Sequence, residues 1–119
     1  MKVQEYLRDD GSSPYQKWFD NLDAIAAAKV TAATSRLELG NTLNVKWLDE
    51  IGEYRINWGP GYRIYLAQDG KQLIVLFGGG TKKGQQADIE KAKKLYQEYK
   101  NRKREAGNQE KKEVRQKKR

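Results

Sequence analysis

The sequence predicts an α+β fold: an N-terminal strand, a helical hairpin, an antiparallel meander sheet and a C-terminal helix. Two observations lead to it. Apolar side chains recur at three- and four-residue steps between Tyr15 and Leu37 and again between Ile89 and Tyr99, as on one face of a helix. Between these regions, from Glu53 to Ala67, the period falls to two, as in a pleated strand. At 119 residues the chain has room for one domain with a modest core. We read that domain over residues 1–101, followed by a basic segment over 102–119 that is either a helical extension or disordered.

Val3 to Leu7 is apolar enough for a first strand, and Asp9-Asp10-Gly11 breaks it. Ser13 before Pro14 is a helix start, because a hydroxyl can cap the free amides while proline fills a position that needs no donor. Tyr15, Trp18, Phe19 and Leu22 follow at helical spacing and are expected in the core. A second helix starts near Asp23, carries Ala26, Val30, Ala33 and Leu37 on one face, and stops at Gly40-Asn41. Val45 to Leu48 is a short strand. Glu53 to Trp58 and Tyr62 to Ala67 are joined through Gly59-Pro60-Gly61, and Asp69-Gly70 makes the next turn. Leu73 to Phe77 is apolar without alternation, the pattern of an interior strand covered on both faces. From Gln85 a last helix presents Ile89, Ala92, Leu95, Tyr96 and Tyr99 as a cover for the sheet.

The net charge is +8, but residues 102–119 hold nine Lys/Arg against three Asp/Glu, leaving the rest of the chain near neutrality. Cations in the domain therefore matter by position. The absence of cysteine removes disulfide and thiol chemistry, and the absence of histidine removes the commonest general base and metal ligand. Asp49, Glu50 and Glu53 cluster, yet with arginine beside them and no histidine they do not read as a metal site. Gly78-Gly79-Gly80-Thr81-Lys82 lacks the spacing of a nucleotide-binding phosphate loop, and its glycines are expected to let a strand leave the sheet. No small-molecule cofactor is expected. With no apolar leader after Met1 and no run of about 18 apolar residues, the expected location is the cytoplasm, away from membranes.

The segment from Glu53 to Lys83 carries the functional signal. Tyr54, Ile56 and Trp58 alternate with Glu53, Arg55 and Asn57, and Tyr62, Ile64 and Leu66 alternate with Arg63 and Tyr65. Paired through the Gly59-Gly61 turn, Arg55 and Arg63 fall on one side of the sheet with Asn57 and Tyr65 beside them. The alternation predicts one core face and one solvent face offering cations to a phosphodiester.

The stretches GEYRINWGPGYRIY and GGGTKKGQQADI, set in this order of elements, resemble the RelE/ParE toxin superfamily, and within it the HigB-like branch of addiction-module killer proteins. The resemblance covers residues 1–100. It implies a toxin of a type II toxin-antitoxin system that cleaves mRNA in the ribosomal A site and is held inactive by a helix-turn-helix antitoxin. Carried over by position, it assigns catalysis to Arg63 and Arg55, with Lys82 or Lys83 as the basic group after the last strand; Asn57 stands where some relatives have lysine. The C-terminal tyrosine of some relatives has no counterpart, because Gln85 and Gln86 occupy that region.

Metal-free RNA cleavage needs a base for the 2′-hydroxyl, an acid for the leaving oxygen and cations for the developing charge. Arg55, Arg63 and Lys82 fit the cationic role, and Asn57, Tyr65, Lys83 and Lys46 are the expected substrate contacts. Glu53 and Tyr65 lie on the right side of their strands to be the base, although arginines would lower the glutamate's pKa. Two other readings fit the same pattern. One is a ParE-like inhibitor of DNA gyrase without chemistry; the other is an inert member that binds a partner helix.

Overall fold

In the computed structural model, which describes residues 1–117, the elements follow the predicted order: β1 (Lys2–Glu5), α1 (Pro14–Asp20), α2 (Ala24–Glu38), β2 (Val45–Leu48), β3 (Ile51–Ile56), β4 (Tyr62–Asp69), β5 (Leu73–Gly80) and α3 (Gln85–Lys117). Ser13 caps α1 by accepting from the Gln16 amide, with Pro14 at the first turn, and Asp23 caps α2 through the Ala26 amide. Gly40, at φ 84°, ends α2 in the left-handed conformation that glycine adopts without a Cβ penalty.

The sheet runs β1-β5-β4-β3-β2, with β1 parallel to β5 and the other pairs antiparallel. The α1–α2 hairpin carries the chain from β1 at one edge to β2 at the other, as a crossover requires. β1 is Lys2–Glu5, one residue earlier in its start and two in its end than the apolar run proposed. The Arg8–Ser12 turn, closed by Arg8 N donating to Ser12 O at 2.8 Å, takes the chain out of the sheet.

Two cores flank the sheet. Val30, Ala33 and Leu37 of α2 pack with Tyr15, Tyr54, Ile64, Leu66, Ile74 and Leu76 on one side. On the other, Ala92 and Leu95 of α3 pack with Tyr6, Ile51, Tyr65, Ala67, Val75 and Phe77. Each large aliphatic or aromatic side chain so buried contributes about 1.5–3 kcal/mol. The expectation that β3 and β4 keep an open, cationic face is therefore corrected. Ile51, Tyr65 and Ala67 make that face apolar over much of its length, and α3 covers it. Leu73 to Phe77 is the doubly covered strand that its composition implied.

Two further differences lie near the β3–β4 turn. β3 ends at Ile56 rather than Trp58, because Trp58 N turns back to Ile56 O at 2.9 Å and Gly61 N to Trp58 O at 3.1 Å. Gly78, Gly79 and Gly80 remain inside β5, paired with Tyr65, Ile64 and Arg63, instead of leading it out of the sheet. Their missing side chains admit neighbours: the Trp18 indole lies on Gly79 and the Asp88 carboxyl on Gly80, where any Cβ would collide. Gly79→Ala is accordingly expected to cost about 1–3 kcal/mol by overpacking against Trp18, read as a lower urea midpoint at unchanged slope.

α3 is the longest element and runs on into the basic segment. Arg102 Nη1 donates to Leu7 O at 2.5 Å and to the Tyr6 hydroxyl at 3.2 Å, and Lys103 pairs with Asp69 at 2.6 Å. Contacts with the domain thus reach Lys103, two residues beyond the expected boundary.

Candidate functional site

Two rows of cross-strand neighbours build the site. Arg55 pairs with Arg63, and Arg63 with Gly80; Lys46 pairs with Glu53, Glu53 with Tyr65, and Tyr65 with Gly78. Residues directly opposite in a ladder share a face. The face is the one that α3 covers, and Gln85 at the start of α3 reaches down to it.

Glu53 is the centre of the cluster and is fully buried. Its Oε1 accepts from Arg55 Nε at 2.8 Å and lies 3.6 Å from Arg63 Nε; its Oε2 accepts from the Tyr65 hydroxyl at 3.2 Å and from Gln85 Nε2 at 2.8 Å. A carboxylate removed from water needs such compensation, since its desolvation alone costs several kcal/mol. Burial by itself would raise its pKa, but the hydrogen bonds from Arg55 and Gln85 and the charges of both arginines outweigh burial and hold it below its ordinary value. Glu53 is therefore an anion tied into ion pairs. It is poorly suited to accept a substrate proton.

The two arginines play different parts. Arg55 has 39% of its side chain exposed, so a ligand can reach it, whereas Arg63 has 10%. Arg63 Nη1 donates to Gly61 O at 2.6 Å, and its buried Nε has no hydrogen-bond partner among the described residues. Gly61, at φ 76°, leaves the room: a Cβ there would sit 3.3 Å from Arg63 Nη1. The common side for Arg55 and Arg63 is as the alternation predicted, but the solvent setting holds for Arg55 alone.

Tyr65 also departs from expectation. It is 1% exposed and its hydroxyl is donated to Glu53, so it supports the cluster from beneath instead of touching substrate. The reason is the α3 cover. Burial, and then the adjacent Glu53 charge, push its phenol above the ordinary value, which keeps it a donor and removes it as a base at neutral pH.

Lys82 packs against Gly61 in the β3–β4 turn, its amide donating to Pro60 O at 3.3 Å, and so stands at the turn whose Gly61 carbonyl Arg63 holds. Lys83 follows it, exposed, its carbonyl accepting from the Thr81 hydroxyl at 3.1 Å. Lys46 is exposed on edge strand β2 opposite Glu53, and Asn57 is exposed just past the end of β3. Arg55, Lys82, Lys83 and Lys46 thus form the accessible cations, with Arg63, Glu53, Tyr65 and Gln85 fixed behind Arg55.

A protein of Haemophilus influenzae, itself uncharacterized, is 41% identical to the chain over 86 residues, covering 71% of this chain and 87% of its own length. The chain belongs to that protein's family. No family model matches it.

Two members of the cluster escaped sequence reasoning. Gln85 read only as the place where a tyrosine was lacking, yet its amide holds Glu53. Asp88 lies over Gly80, and burial raises its carboxyl above the ordinary value against the opposing charge of Lys91. The available signal was the run of three glycines inside an apolar strand, which marks space that other side chains fill.

Proposed function

We propose that the protein is the toxin of a type II toxin-antitoxin system of the RelE/ParE superfamily, acting as a ribosome-dependent, metal-independent mRNA endonuclease. The observation that supports this most is the pairing of Arg55 with Arg63 across β3 and β4 on a fixed, buried carboxylate, with Lys82 at the neighbouring Gly61 turn. Arg55 meets a non-bridging phosphate oxygen with its exposed guanidinium; Lys82 and Lys83 supply charge from the following loop. The 2′-hydroxyl attacks the adjacent phosphorus, the bond to the 5′-oxygen breaks, and the products are a 2′,3′-cyclic phosphate and a 5′-hydroxyl. Arg63 acts through position, by holding Glu53 and thereby the orientation of Arg55.

The protein contributes charge and geometry, while proton transfer and RNA orientation depend strongly on the ribosome. This division fits a chain without histidine in which the buried Glu53 carboxylate is tied into ion pairs. In this reading it works in the cytoplasm, where translating ribosomes are; among the described residues no helix is long and apolar enough to cross a membrane. A helix-turn-helix antitoxin restrains it. The exposed Leu43 and Trp47, on and before edge strand β2, offer that partner apolar contact.

Residues 104–119 add seven Lys/Arg against three Asp/Glu. Ending the chain at Lys103 is expected to weaken binding to ribosomal RNA and to flatten the log–log dependence of affinity on salt, because fewer counterions are released. Filter binding between 50 and 200 mM salt measures this.

The deciding experiment is induced expression in a bacterium, with mapping of mRNA 5′ ends and a parallel assay of gyrase supercoiling. Growth arrest with new ends inside translated codons supports the nuclease. Arrest without such ends, accompanied by blocked supercoiling, replaces it with gyrase inhibition.

A further inference from the structure

Next to the Glu53 cluster, α1 and α3 leave a cleft of about 420 Å³ over the Gly78–Gly79 backbone, within the range of about 300–1,000 Å³ that holds small organic ligands. Its lining combines cations, an aromatic ring and a carboxyl. Lys17 of α1 and Lys91 of α3 are exposed at opposite walls, and neither enters a salt bridge among the described residues. Arg8, also in the lining, is already held by Glu98 at 3.1 and 3.2 Å. Trp18 rests on Gly79 and contributes aromatic surface to the cleft. Asp88 lies at the end nearest Arg63's partner Gly80, and among the described residues its carboxyl accepts no side-chain or loop hydrogen bond. Tyr65 joins the two regions, lining the cleft while donating to Glu53.

We infer that this cleft receives one nucleotide of the RNA strand, adjacent to the phosphate presented to Arg55, and that it prefers guanine. The inference rests on the endonuclease reading. Trp18 provides the stacking surface for a base. Lys17 and Lys91 meet the nucleotide's phosphate as solvated point charges. Asp88 selects the base. A carboxylate accepts from N–H groups, and guanine presents two side by side, N1–H and N2–H, on its Watson–Crick edge, the edge by which unpaired RNA bases are read. Adenine and the pyrimidines cannot offer that pair. The glycine at position 80 is what lets the carboxyl reach this place, since a larger residue would collide with it.

The test is titration of the ¹⁵N-labelled full chain with 5′-GMP, 5′-AMP and inorganic phosphate, following the indole N–H signals, with Trp18→Phe identifying the Trp18 resonance. The expected result is a saturating shift of the Trp18 signal with GMP, about tenfold weaker binding of AMP, and no Trp18 shift with phosphate at the same concentration. Lys17→Glu/Lys91→Glu, confined to exposed positions, should weaken GMP binding about tenfold or more, and Asp88→Asn should abolish the preference for guanine. A response centred on Trp47 or Trp58, an equal response to phosphate, or indifference to the double variant overturns the proposal. The two readings fail separately. Filling of the cleft by GMP in a protein that never cuts mRNA sinks the nuclease alone, and codon-phased cutting with an unresponsive Trp18 sinks the cleft alone.

Discussion

Glu53→Ala is expected to lower the stability of the domain by about 3–5 kcal/mol, the cost of leaving a buried cation without its partner. Arg63, with 10% of its side chain exposed, would lose the one carboxylate it pairs with among the described residues, and the Tyr65 hydroxyl and Gln85 amide would lose their acceptor. In a domain of this size each kcal/mol moves the thermal midpoint by about 4–8 °C, so the change is large in differential scanning calorimetry. Glu53→Gln keeps the shape but removes the charge, and should also be destabilising, because two guanidinium groups would then face a neutral amide. If both variants melt within about 2 °C of wild type, the cluster contributes nothing to the fold.

Glu53 and two carboxylates elsewhere in the domain set an acid limit. Glu53 is held below its ordinary pKa as described, Asp69 is lowered by the hydrogen bonds from Lys103 and Tyr99, and Glu98 by those from Arg8 and Tyr6. A carboxyl whose folded pKa lies below the unfolded one binds fewer protons in the folded state. Its stabilisation is complete above the unfolded value of about 4 and is lost as pH falls through the folded value. Stability should therefore fall below about pH 4, offset in part by Asp88, whose carboxyl pKa is raised by burial and so favours the folded state as it takes up a proton. Glu53→Gln should reduce the steepness.

Arg55→Lys is expected to reduce RNA cleavage by about 10²- to 10³-fold, the usual effect of removing one donor to developing transition-state charge, while costing less stability than Glu53→Ala. Lysine retains the positive charge beside Glu53 but cannot hold Glu53 and a phosphate oxygen at once with a planar fork. Arg63→Ala should lose comparable activity and also melt earlier, because Arg63 contributes to the site through buried contacts. Comparing rate and melting temperature across the two variants separates chemistry from support. Equal activity of Arg55→Lys and wild type would remove Arg55 from the reaction.

Much of the fold was legible because local signals agreed with one another. Ser13-Pro14, Asp23 and Gly40 marked helix ends by capping chemistry, and the period-two alternation placed Arg55 and Arg63 on one side of the sheet. The covering of that face was less legible. Arg55, Arg63 and Asn57 gave the strands a polar side, but Ile51, Tyr65 and Ala67 on the same side required an apolar partner. The apolar stripe of the last helix identified it as a cover for the sheet, but periodicity within a strand does not reveal that the cover falls on the face that carries the arginines. Gln85 and Asp88 were missed for a related reason: each reaches the site from the first turn of α3, about 30 residues along the chain from Arg55, and only the β5 glycines create the space. The basic segment was readable as charge, but the contacts that Arg102 and Lys103 make with Leu7 and Asp69 join residues far apart in the chain and were not.

The most direct measurement is incubation of the purified protein with ribosomes stalled on a defined mRNA, in a buffer whose magnesium exceeds the EDTA added to remove transition metals, followed by analysis of RNA ends. The predicted result is cutting within the A-site codon that yields a 2′,3′-cyclic phosphate and a 5′-hydroxyl, with Arg55→Lys reduced at least about 100-fold. Intact mRNA with the wild-type protein, or cleavage unchanged in Arg55→Lys, would contradict the assignment of an arginine-based RNA-cleaving site.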